Sequence, residues 1–552
     1  MKFFSILFVA LASLPAAGQQ PAGQTSTNPI TPSIIESAGK LIGLEFSAEK
    51  QEMMRDGLKS RLAEFEALRK IPLSNDVPPA VLFNPLPVGF KIETVRHRVK
   101  WSPPRKVELP KNLDDLAFYS VAELGALIKS KKISSERLTG FYLERLKRFG
   151  PRLECVVTLT EDLAMRQARR ADAELARGIY RGPLHGIPYG AKDLLATKGI
   201  RTTWGSVPFQ QQIFSEDSTV VRRLEEAGAV LVAKLTLGEL AMGDVWFGGM
   251  TRNPWNPRLG SSGSSAGSSA ATSAGLLAFA IGSETLGSIV SPCTVCGVTG
   301  LRPSYGRVSR HGAMALSWSM DKLGPICRTV EDCALVFTVI YGPDGIDQTL
   351  YDAPFNYNST VRLAHLRIGY LKADFEKKKN NTNDLATLRL LESLGAKLIP
   401  IELPKFPVGA LGMVLSAEAA ASFDELTRSG KDDLLVRQAG WPNAFRQARF
   451  IPAVEYLQAQ RIRFLLIQEM ARLMEKIDVY VAPSDTGDNL LLTNLTGHPC
   501  VVMPNGFSNA TPPTPTSITF VGKLFGEADL LGVAKACQDA DAFHQLHPRL
   551  AD

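Results

Sequence analysis

The spacing of apolar residues divides the chain into an N-terminal arm and a larger remainder. Between about residues 34 and 70, apolar side chains recur every three or four positions, which predicts helix. They are Met54, Leu58, Leu62, Phe65 and Leu68. Pro72 ends this pattern, and the many prolines of residues 72–112 predict an extended connector. Residues 19–112 are therefore predicted to form a helical arm and its connector.

A regular alternation of strand and helix patterns occupies residues 113–552. Ser120-Val-Ala-Glu123 is a capping box, which predicts the start of a helix. The run "RLECVVTLT" predicts a strand, and "DLAMRQARRADAELARG" predicts a helix closed by Gly178. Short apolar runs then alternate with helical patterns to the end of the chain. This order predicts an α/β domain with a large mixed β-sheet covered by helices on both faces.

The first eighteen residues have the three-part pattern of a secretory signal peptide. Lys2 precedes an apolar run from residue 3 to residue 14, and small residues follow up to Gly18. The apolar run is shorter than the roughly 20 residues that a membrane-spanning helix needs. No later segment has a transmembrane pattern. We therefore expect a secreted or periplasmic protein with no membrane anchor.

Composition narrows the classes of partner and cofactor. An apolar fraction of 45% and a charged fraction of 21% are those of an ordinary globular protein. The net charge of +7 is mild for this length and no nucleic-acid motif accompanies it, so no nucleic-acid partner is expected. The seven cysteines are odd in number and scattered. Cys293 and Cys296 have metal or redox spacing, but no second pair lies nearby. We predict neither a metal nor a cofactor.

The stretch "GSSGSSAGSS", residues 260–269, resembles a flexible linker when it is read alone. A linker is flanked by domain edges. Here the chain continues to residue 309 as a small, apolar, glycine-rich segment whose composition predicts burial. The stretch is therefore interpreted as part of a site and not as a tether.

Two short motifs offer other kinds of serine site. "GSSAG" places Ser265 at the centre of G-x-S-x-G, the nucleophile elbow of α/β-hydrolases. That elbow needs a strand directly before it and an acid and a histidine downstream. His544 and His547 lie downstream, but no sequence pattern recommends them for this role. The run Ser47–Lys50 fits S-x-x-K, but it lies in the N-terminal arm and lacks the companion motifs.

Several separate motifs, in order along the chain, resemble the amidase signature family. The family's serine-glycine stretch is matched by "GSSAGSSAATSAG", its second stretch by "GSETLGSIVSP" and its closing stretch by "CGVTGLRPSYGRVS". Upstream, "GPLHGIPYGAKDLLATKGIRTTWGS" resembles the segment that carries the family's lysine. The runs "NLTGHPCVVMPNGF" and "SITFVGKLFGEADLL" resemble its C-terminal elements. The resemblance covers roughly residues 115–550 and, with the signal peptide, suggests a secreted bacterial amidase.

This resemblance implies a Ser-Ser-Lys triad. Ser288 falls on the family's nucleophile, Ser264 on its bridging serine and Lys192 on its lysine. A serine hydroxyl needs a base to become a nucleophile, and a lysine is a base only when it is neutral and therefore desolvated. The resemblance also implies a cis peptide bond between Gly263 and Ser264, which would aim the bridging hydroxyl.

The oxyanion hole is implied in the same way. Its donors would be the backbone N–H groups of Thr285, Leu286, Gly287 and Ser288. Ser265 would support the network by hydrogen bonding. The chain departs from the family at Glu284, Leu286 and Val290, where aspartate, glycine and arginine are usual. A backbone donor at position 286 survives the change to leucine only where φ is negative.

The predicted function is hydrolysis of a carboxylic amide C–N bond through an acyl-enzyme. The alternative is a glutaminase-type amidotransferase subunit, or a non-catalytic subunit with the same fold. Transamidation subunits of the family usually carry a basic run before their C-terminal helices. The corresponding region of this chain, "NAFRQARFIPAVEYLQAQRIRF", lacks that run. We expect a small-molecule amide as substrate, in a pocket lined by residues of about 340–460, and a homodimer is left open.

Overall fold

The structure, a computed structural model, describes residues 29–103, 106–377, 382–484 and 486–550. The predicted signal peptide, residues 1–18, lies outside these ranges. The chain divides into two compact units between Leu73 and Ser74. The predicted connector spans residues 72–112, and from Ser74 onward it belongs by its contacts to the second unit.

The first unit contains two helices, α1 (Pro32–Leu41) and α2 (Ala48–Leu68). The single helical pattern predicted for this stretch is thus interrupted, because the chain turns at Gly43, whose φ is +72°. Helix α2 begins after Ser47, whose side chain accepts a hydrogen bond from the backbone N–H of Lys50. The S-x-x-K match is therefore a helix cap.

The second unit alternates helices and strands. Its helices are α3 (Val121–Lys129), α4 (Ser135–Leu153), α5 (Glu161–Ala176), α6 (Thr219–Glu226), α7 (Ala266–Ser273), α8 (Val290–Cys296), α9 (Val330–Ile340), α10 (Lys372–Lys377), α11 (Thr382–Ser393), α12 (Val408–Leu411), α13 (Met413–Ser422), α14 (Asp424–Arg428), α15 (Trp441–Ala448), α16 (Ala453–Lys476), α17 (Asn489–Thr496) and α18 (Glu527–Ala540). Its strands are β1 (Val156–Leu159), β2 (Pro188–Lys192), β3 (Val230–Leu235), β4 (Val245–Trp246), β5 (Gly249–Met250), β6 (Arg252–Asn253), β7 (Asn256–Gly260), β8 (Phe279–Glu284), β9 (Thr299–Arg302), β10 (Lys322–Cys327), β11 (Ile368–Leu371), β12 (Leu398–Ile401), β13 (Val479–Pro483), β14 (Cys500–Phe507) and β15 (Pro515–Gly522).

Eleven of the strands form one mixed sheet in the order β1-β3-β2-β8-β10-β9-β14-β15-β13-β11-β12. Strand β2 is parallel to both of its neighbours, β3 and β8, and β11 is parallel to β12 and β13. The other pairs are antiparallel. The prediction of a large mixed sheet is confirmed.

Apolar side chains are buried on both faces of this sheet. Along β14, Val501 and Met503 join one buried cluster, whereas Cys500 and Val502 join another. This alternation follows from the two-residue period of a strand. Helices α3, α6, α9 and α18 contribute to the first cluster, and α7, α8, α16 and α17 to the second. The fold class predicted from the sequence, helices on both faces, is therefore confirmed.

Local signals in the sequence also correspond to structure. The capping box at the start of α3 is present, with Ser120 accepting from the N–H of Glu123 and the Glu123 carboxylate accepting from the N–H of Ser120. The strand predicted in "RLECVVTLT" is β1, and the charged helix after it is α5, followed by Gly178 with a φ of +83°.

The structure bears on the pairing of the cysteines, on metal ligation and on membrane spans. All seven cysteines are buried, and none forms a disulfide. Within the described ranges, no group of three or more His, Cys, Asp and Glu side chains is arranged to hold a metal ion. In the same ranges, no helix combines the length and apolar character needed to cross a membrane.

Helix α7 packs against strand β3 through a residue that has no room for a side chain. A methyl group on Gly267 would lie 2.5 Å from the backbone nitrogen of Thr236 and 2.6 Å from the carbonyl oxygen of Cys155. Both are backbone atoms, so neither can rotate away. The small residues of the serine-rich stretch thus allow α7 to approach the sheet at the edge where the site lies.

We expect Gly267→Ala to destabilise the protein by about 1–3 kcal/mol, because the added methyl group overpacks this contact. Gly140→Ala is the matched control, since Gly140 lies inside α4 and an added methyl group would meet nothing within 4 Å. That change should raise stability slightly, by up to about 1 kcal/mol, because alanine is the better helix former. Denaturant unfolding of the two variants measures the difference, and equal effects would contradict the packing argument.

Candidate active site

The candidate site lies where two parallel strands end side by side. Lys192 is the last residue of β2, and Ser283 and Glu284 end the neighbouring β8. The turn between β7 and α7 brings Ser264 and Ser265 to the same edge of the sheet. Residues from three separate parts of the sequence therefore meet there.

The Lys192 amine is fully buried among hydroxyl groups. Its Nζ lies 2.7 Å from Ser264 Oγ, 2.8 Å from Ser283 Oγ and 3.1 Å from Ser265 Oγ. Burial lowers the pKa of Lys192 well below its ordinary value, and the charges of Asp321 and Glu284 oppose this only in part. Burial therefore favours the neutral amine over the ammonium at this position.

The hydrogen bonds of Ser265 determine how a neutral Lys192 orients. Ser265 Oγ accepts from the N–H of Ser283 at 3.1 Å and donates to the carbonyl oxygen of Ser283 at 3.0 Å. The hydroxyl hydrogen is thus already used, so Lys192 donates to Ser265 Oγ. The two shorter contacts of Lys192 are with the hydroxyl groups of Ser283 and Ser264, either of which can accept from the amine or donate to its lone pair.

The turn before Ser264 is formed by two residues with positive φ and not by a cis peptide bond. The predicted cis peptide between Gly263 and Ser264 is wrong for this structure, where the cis bond within the described residues is Thr511–Pro512. Instead, φ is +58° at Ser262 and +25° at Gly263. A methyl group on Gly263 would lie 2.3 Å from Pro292 Cδ, so the turn is also packed against α8.

Ser288 lies on the loop between β8 and α8, beside this turn. Its carbonyl oxygen accepts a hydrogen bond from the N–H of Ser265 at 3.1 Å, and the residue is 8% exposed. Among the described residues, no hydrogen bond joins the hydroxyl groups of Ser264 and Ser288.

The loop from Thr285 to Ser288 has unused backbone donors. In the described part of the chain, no hydrogen bond uses the N–H groups of these four residues. Leu286 is not among the residues with positive φ, so the condition under which leucine keeps a backbone donor at this position is met. The left-handed residue of the loop is Gly287, with φ of +81°. These N–H groups are available to a developing oxyanion.

A single family model, described as "Amidase", matches residues 137–490, the stretch that contains all of these groups. The chain belongs to the amidase family. A glutamyl-tRNA(Gln) amidotransferase subunit from Moorella thermoacetica is 34% identical over 487 residues, which are 79% of this chain and 99% of the relative.

Solved structures of amidase-family members are similar in fold. The native peptide amidase of Stenotrophomonas maltophilia matches with a TM-score of 0.67 and 30% identity, over 76% of this chain and 96% of that one. The corresponding glutamyl-tRNA(Gln) amidotransferase subunit from Thermotoga maritima matches with a TM-score of 0.65 and 27% identity, over 77% and 95%. Both an amidase and amidotransferase subunits are thus similar to this chain, and the resemblance to a secreted amidase in particular gains no support.

Glu284 is a site residue whose importance the family motif alone did not reveal. Its carboxylate accepts hydrogen bonds from the N–H groups of Ile289 and Val290, at the start of α8, and pairs with Arg302 at 2.7 Å. Burial alone would raise the pKa of Glu284, but the Arg302 guanidinium and these hydrogen bonds lower it to about 2. The charged carboxylate therefore fixes the loop that carries Ser288 to the start of α8.

Val290, which stands where the family usually has arginine, is buried in the apolar cluster beneath α8. The cation beside Glu284 comes instead from Arg302, on β9. Asn494 on α17 adds a further hydrogen bond to Glu284 at 2.9 Å. Sequence spacing could not reveal this network, because its members lie far apart along the chain.

A cavity of about 930 Å³ reaches the site at Ser283 and Thr285. Thr285 donates a hydrogen bond to Asp321, another lining residue, at 2.6 Å. Parts of residues 340–460 line the cavity, as predicted, at 346–349 and between 417 and 460. The sequence patterns did not predict a further wall, which residues 75–84 supply.

Over the residues that it describes, the structure does not place a histidine in the geometry that the nucleophile-elbow alternative requires. Ser265 Oγ contacts Lys192 and Ser283 and no histidine. His547 stacks instead on the ring of Phe118, with ring centroids 3.6 Å apart. The histidine that such an elbow requires is thus not placed beside Ser265.

Proposed function

We propose that this chain is an amidohydrolase that cleaves a carboxylic amide through an acyl-enzyme on Ser288. The observation that carries the proposal is the contact of 2.7 Å between the fully buried amine of Lys192 and the hydroxyl of Ser264. Burial lowers the pKa of Lys192 well below its ordinary value, which favours an amine that can accept a proton, and Ser264 can pass that proton on.

The reaction follows from this arrangement. Ser288 Oγ attacks the amide carbon as its proton moves to Ser264, and the proton of Ser264 moves to Lys192. The resulting oxyanion is met by the free N–H groups of residues 285–288. Collapse breaks the C–N bond, and the departing amine takes a proton back through Ser264 from the Lys192 ammonium. Water then hydrolyses the ester by the same relay in reverse.

The charged groups of the cavity favour a neutral amide. Arg310 is already held by Asp347, by the carbonyl oxygen of Trp318 and by Thr349. Glu418 accepts from Ser317, Ser319 and Tyr456. Arg310, Asp347 and Glu418 are thus satisfied inside the protein, and Asp76 and Asp321 are the other carboxylates of the lining. Most of the remaining lining offers apolar contact to a small-molecule substrate.

A glutamine-using amidotransferase subunit is the second candidate. The names of the sequence relatives favour it, since the Moorella thermoacetica relative belongs to an amidotransferase. The two candidates differ in what the isolated chain does. A hydrolase acts alone on simple amides, whereas a subunit that works only in a complex does not.

We also propose that the chain is exported, on the strength of its N-terminal pattern. The first eighteen or so residues should then be absent from the mature protein, because signal peptidase removes them. Intact mass spectrometry of the secreted form measures this, and an intact Met1 in that form would count against export.

Ser288→Ala should abolish both amide hydrolysis and covalent labelling by a fluorophosphonate, because the attacking oxygen is removed. Ser265→Ala is the matched control: it should keep the label on Ser288, since Ser265 only supports Lys192. Peptide mapping of the labelled protein identifies the modified residue. A label on Ser265 would contradict the proposal and favour the α/β-hydrolase elbow.

Activity should rise with pH as Lys192 loses its proton, and it should level off above the pKa of that lysine, which burial holds well below its ordinary value. Lys192→Arg and Lys192→Ala should each lower kcat/KM by about 10²–10⁴-fold, because a guanidinium cannot deprotonate and a methyl group cannot accept a proton. Ser264→Ala should be similarly impaired.

Ser269→Ala is the control for Ser264→Ala, because Ser269 is an equally buried serine whose hydroxyl faces Cys293 and not the site. It should keep activity and the pH profile of the parent within about twofold. The Lys192/Ser264 double variant should be little worse than either single variant, since both belong to one relay. An active Lys192→Arg protein would show that Lys192 supplies only a charge.

A further inference from the structure

The cavity has one wall that lies outside the part of the chain matched by the family model. Residues 75–84 line it, whereas the match spans 137–490. The Moorella thermoacetica relative is covered over 99% of its length by 79% of this chain, so about a fifth of this chain has no counterpart there. A wall outside the family match is a candidate for what is particular to this protein.

Side-chain contacts fix this wall at its first end. Asn75 Oδ1 accepts from the N–H of Ala315 at 2.7 Å, and its Nδ2 donates to the carbonyl oxygen of Ala315 at 2.9 Å. Ala315 precedes Leu316, whose N–H donates to Asp321, the carboxylate that also holds Thr285. The wall is thus tied to the loop that contacts the oxyanion segment.

The other end is fixed by an aromatic side chain. The guanidinium of Arg463 lies 3.6 Å from the ring centroid of Phe83, and the ring of Tyr305 meets Phe83 edge-on at 5.0 Å. Arg463 is itself fully buried and donates to the carbonyl oxygen and hydroxyl of Ser319. The guanidinium is therefore held in place beneath the ring.

Between these anchors the wall is almost entirely apolar. Its lining residues there are Asp76, Pro78, Pro79, Ala80, Val81 and Leu82. The two prolines fix φ and carry no N–H group, so this part of the wall is stiff and offers few donors. Leu194, Met314, Leu316 and Leu323 line the cavity as well. A volume of about 930 Å³ is far larger than a short amide fills.

We propose that residues 75–84 form a fixed apolar wall of the substrate cavity and select amides that carry a long apolar group. This inference rests on the proposed amidohydrolase function. The wall contributes binding to the long group and none to the reacting carbonyl. Its loss should therefore weaken long substrates selectively and leave the shortest amides unaffected.

The test compares kcat/KM for octanamide with kcat/KM for propionamide. Leu82→Asp, which puts a charge in the wall, should lower this ratio by about tenfold or more, while propionamide hydrolysis stays within about twofold of the parent. Leu82→Gln, which keeps the size of the side chain, should lower it by about threefold. Val88→Asp is the matched control, because Val88 lies in the same connector but outside the lining and is 78% exposed.

A ratio that changes by less than twofold in both Leu82 variants, or that falls equally in Val88→Asp, overturns the inference. Calorimetric binding of octanamide to Ser288→Ala separates this result from failure of the proposed function. If octanamide binds but the parent does not hydrolyse it, the proposed function is wrong. The wall is then tested by the loss of octanamide binding when Leu82→Asp is added to Ser288→Ala.

Discussion

Removal of the Lys192 amine from water is the constraint on which the rest of the site depends. Its neighbours are hydroxyl oxygens, which orient the amine without holding it protonated. Lys234, on the adjacent strand β3, is equally buried, and burial lowers its pKa too, but the Asp193 carboxylate 3.1 Å away opposes that shift. The neighbours of Lys192 are neutral hydroxyls, so its pKa is lowered further.

The loop that carries Ser288 depends on a second buried charge, that of Glu284. Glu284 joins the start of α8 to Arg302, so the ion pair is placed directly beneath the loop that carries Ser288. A buried pair of this kind adds little net stability, yet removal of one partner leaves the other charge unpaired at high cost. Its role here is to fix geometry. The serine-rich turn completes the support, since the N–H of Ser265 binds the carbonyl oxygen of Ser288.

Residues 75–84, which lie outside the stretch matched by the family model, line the cavity beside the candidate site. Asn75 and Phe83 anchor residues 75–84 across a cavity that begins at Thr285. The residues of the proposed triad lie within the stretch that the family model matches, whereas residues 75–84 lie outside it. The proposed reaction and the proposed choice of substrate are thus assigned to different parts of the chain.

Local sequence determined the fold class and the capping box before α3, and resemblance to the family led to the prediction of Lys192, Ser264 and Ser288 as site residues. These follow from short-range periodicity and motif order, which a sequence contains in full. Tertiary structure alone decided the left-handed turn at Gly263, the pairing of Glu284 with Arg302 and the wall formed by residues 75–84. The prolines of that segment predict an extended chain but not what it packs against. Burial, pKa and ion pairing depend on groups that are distant in sequence and adjacent only after folding.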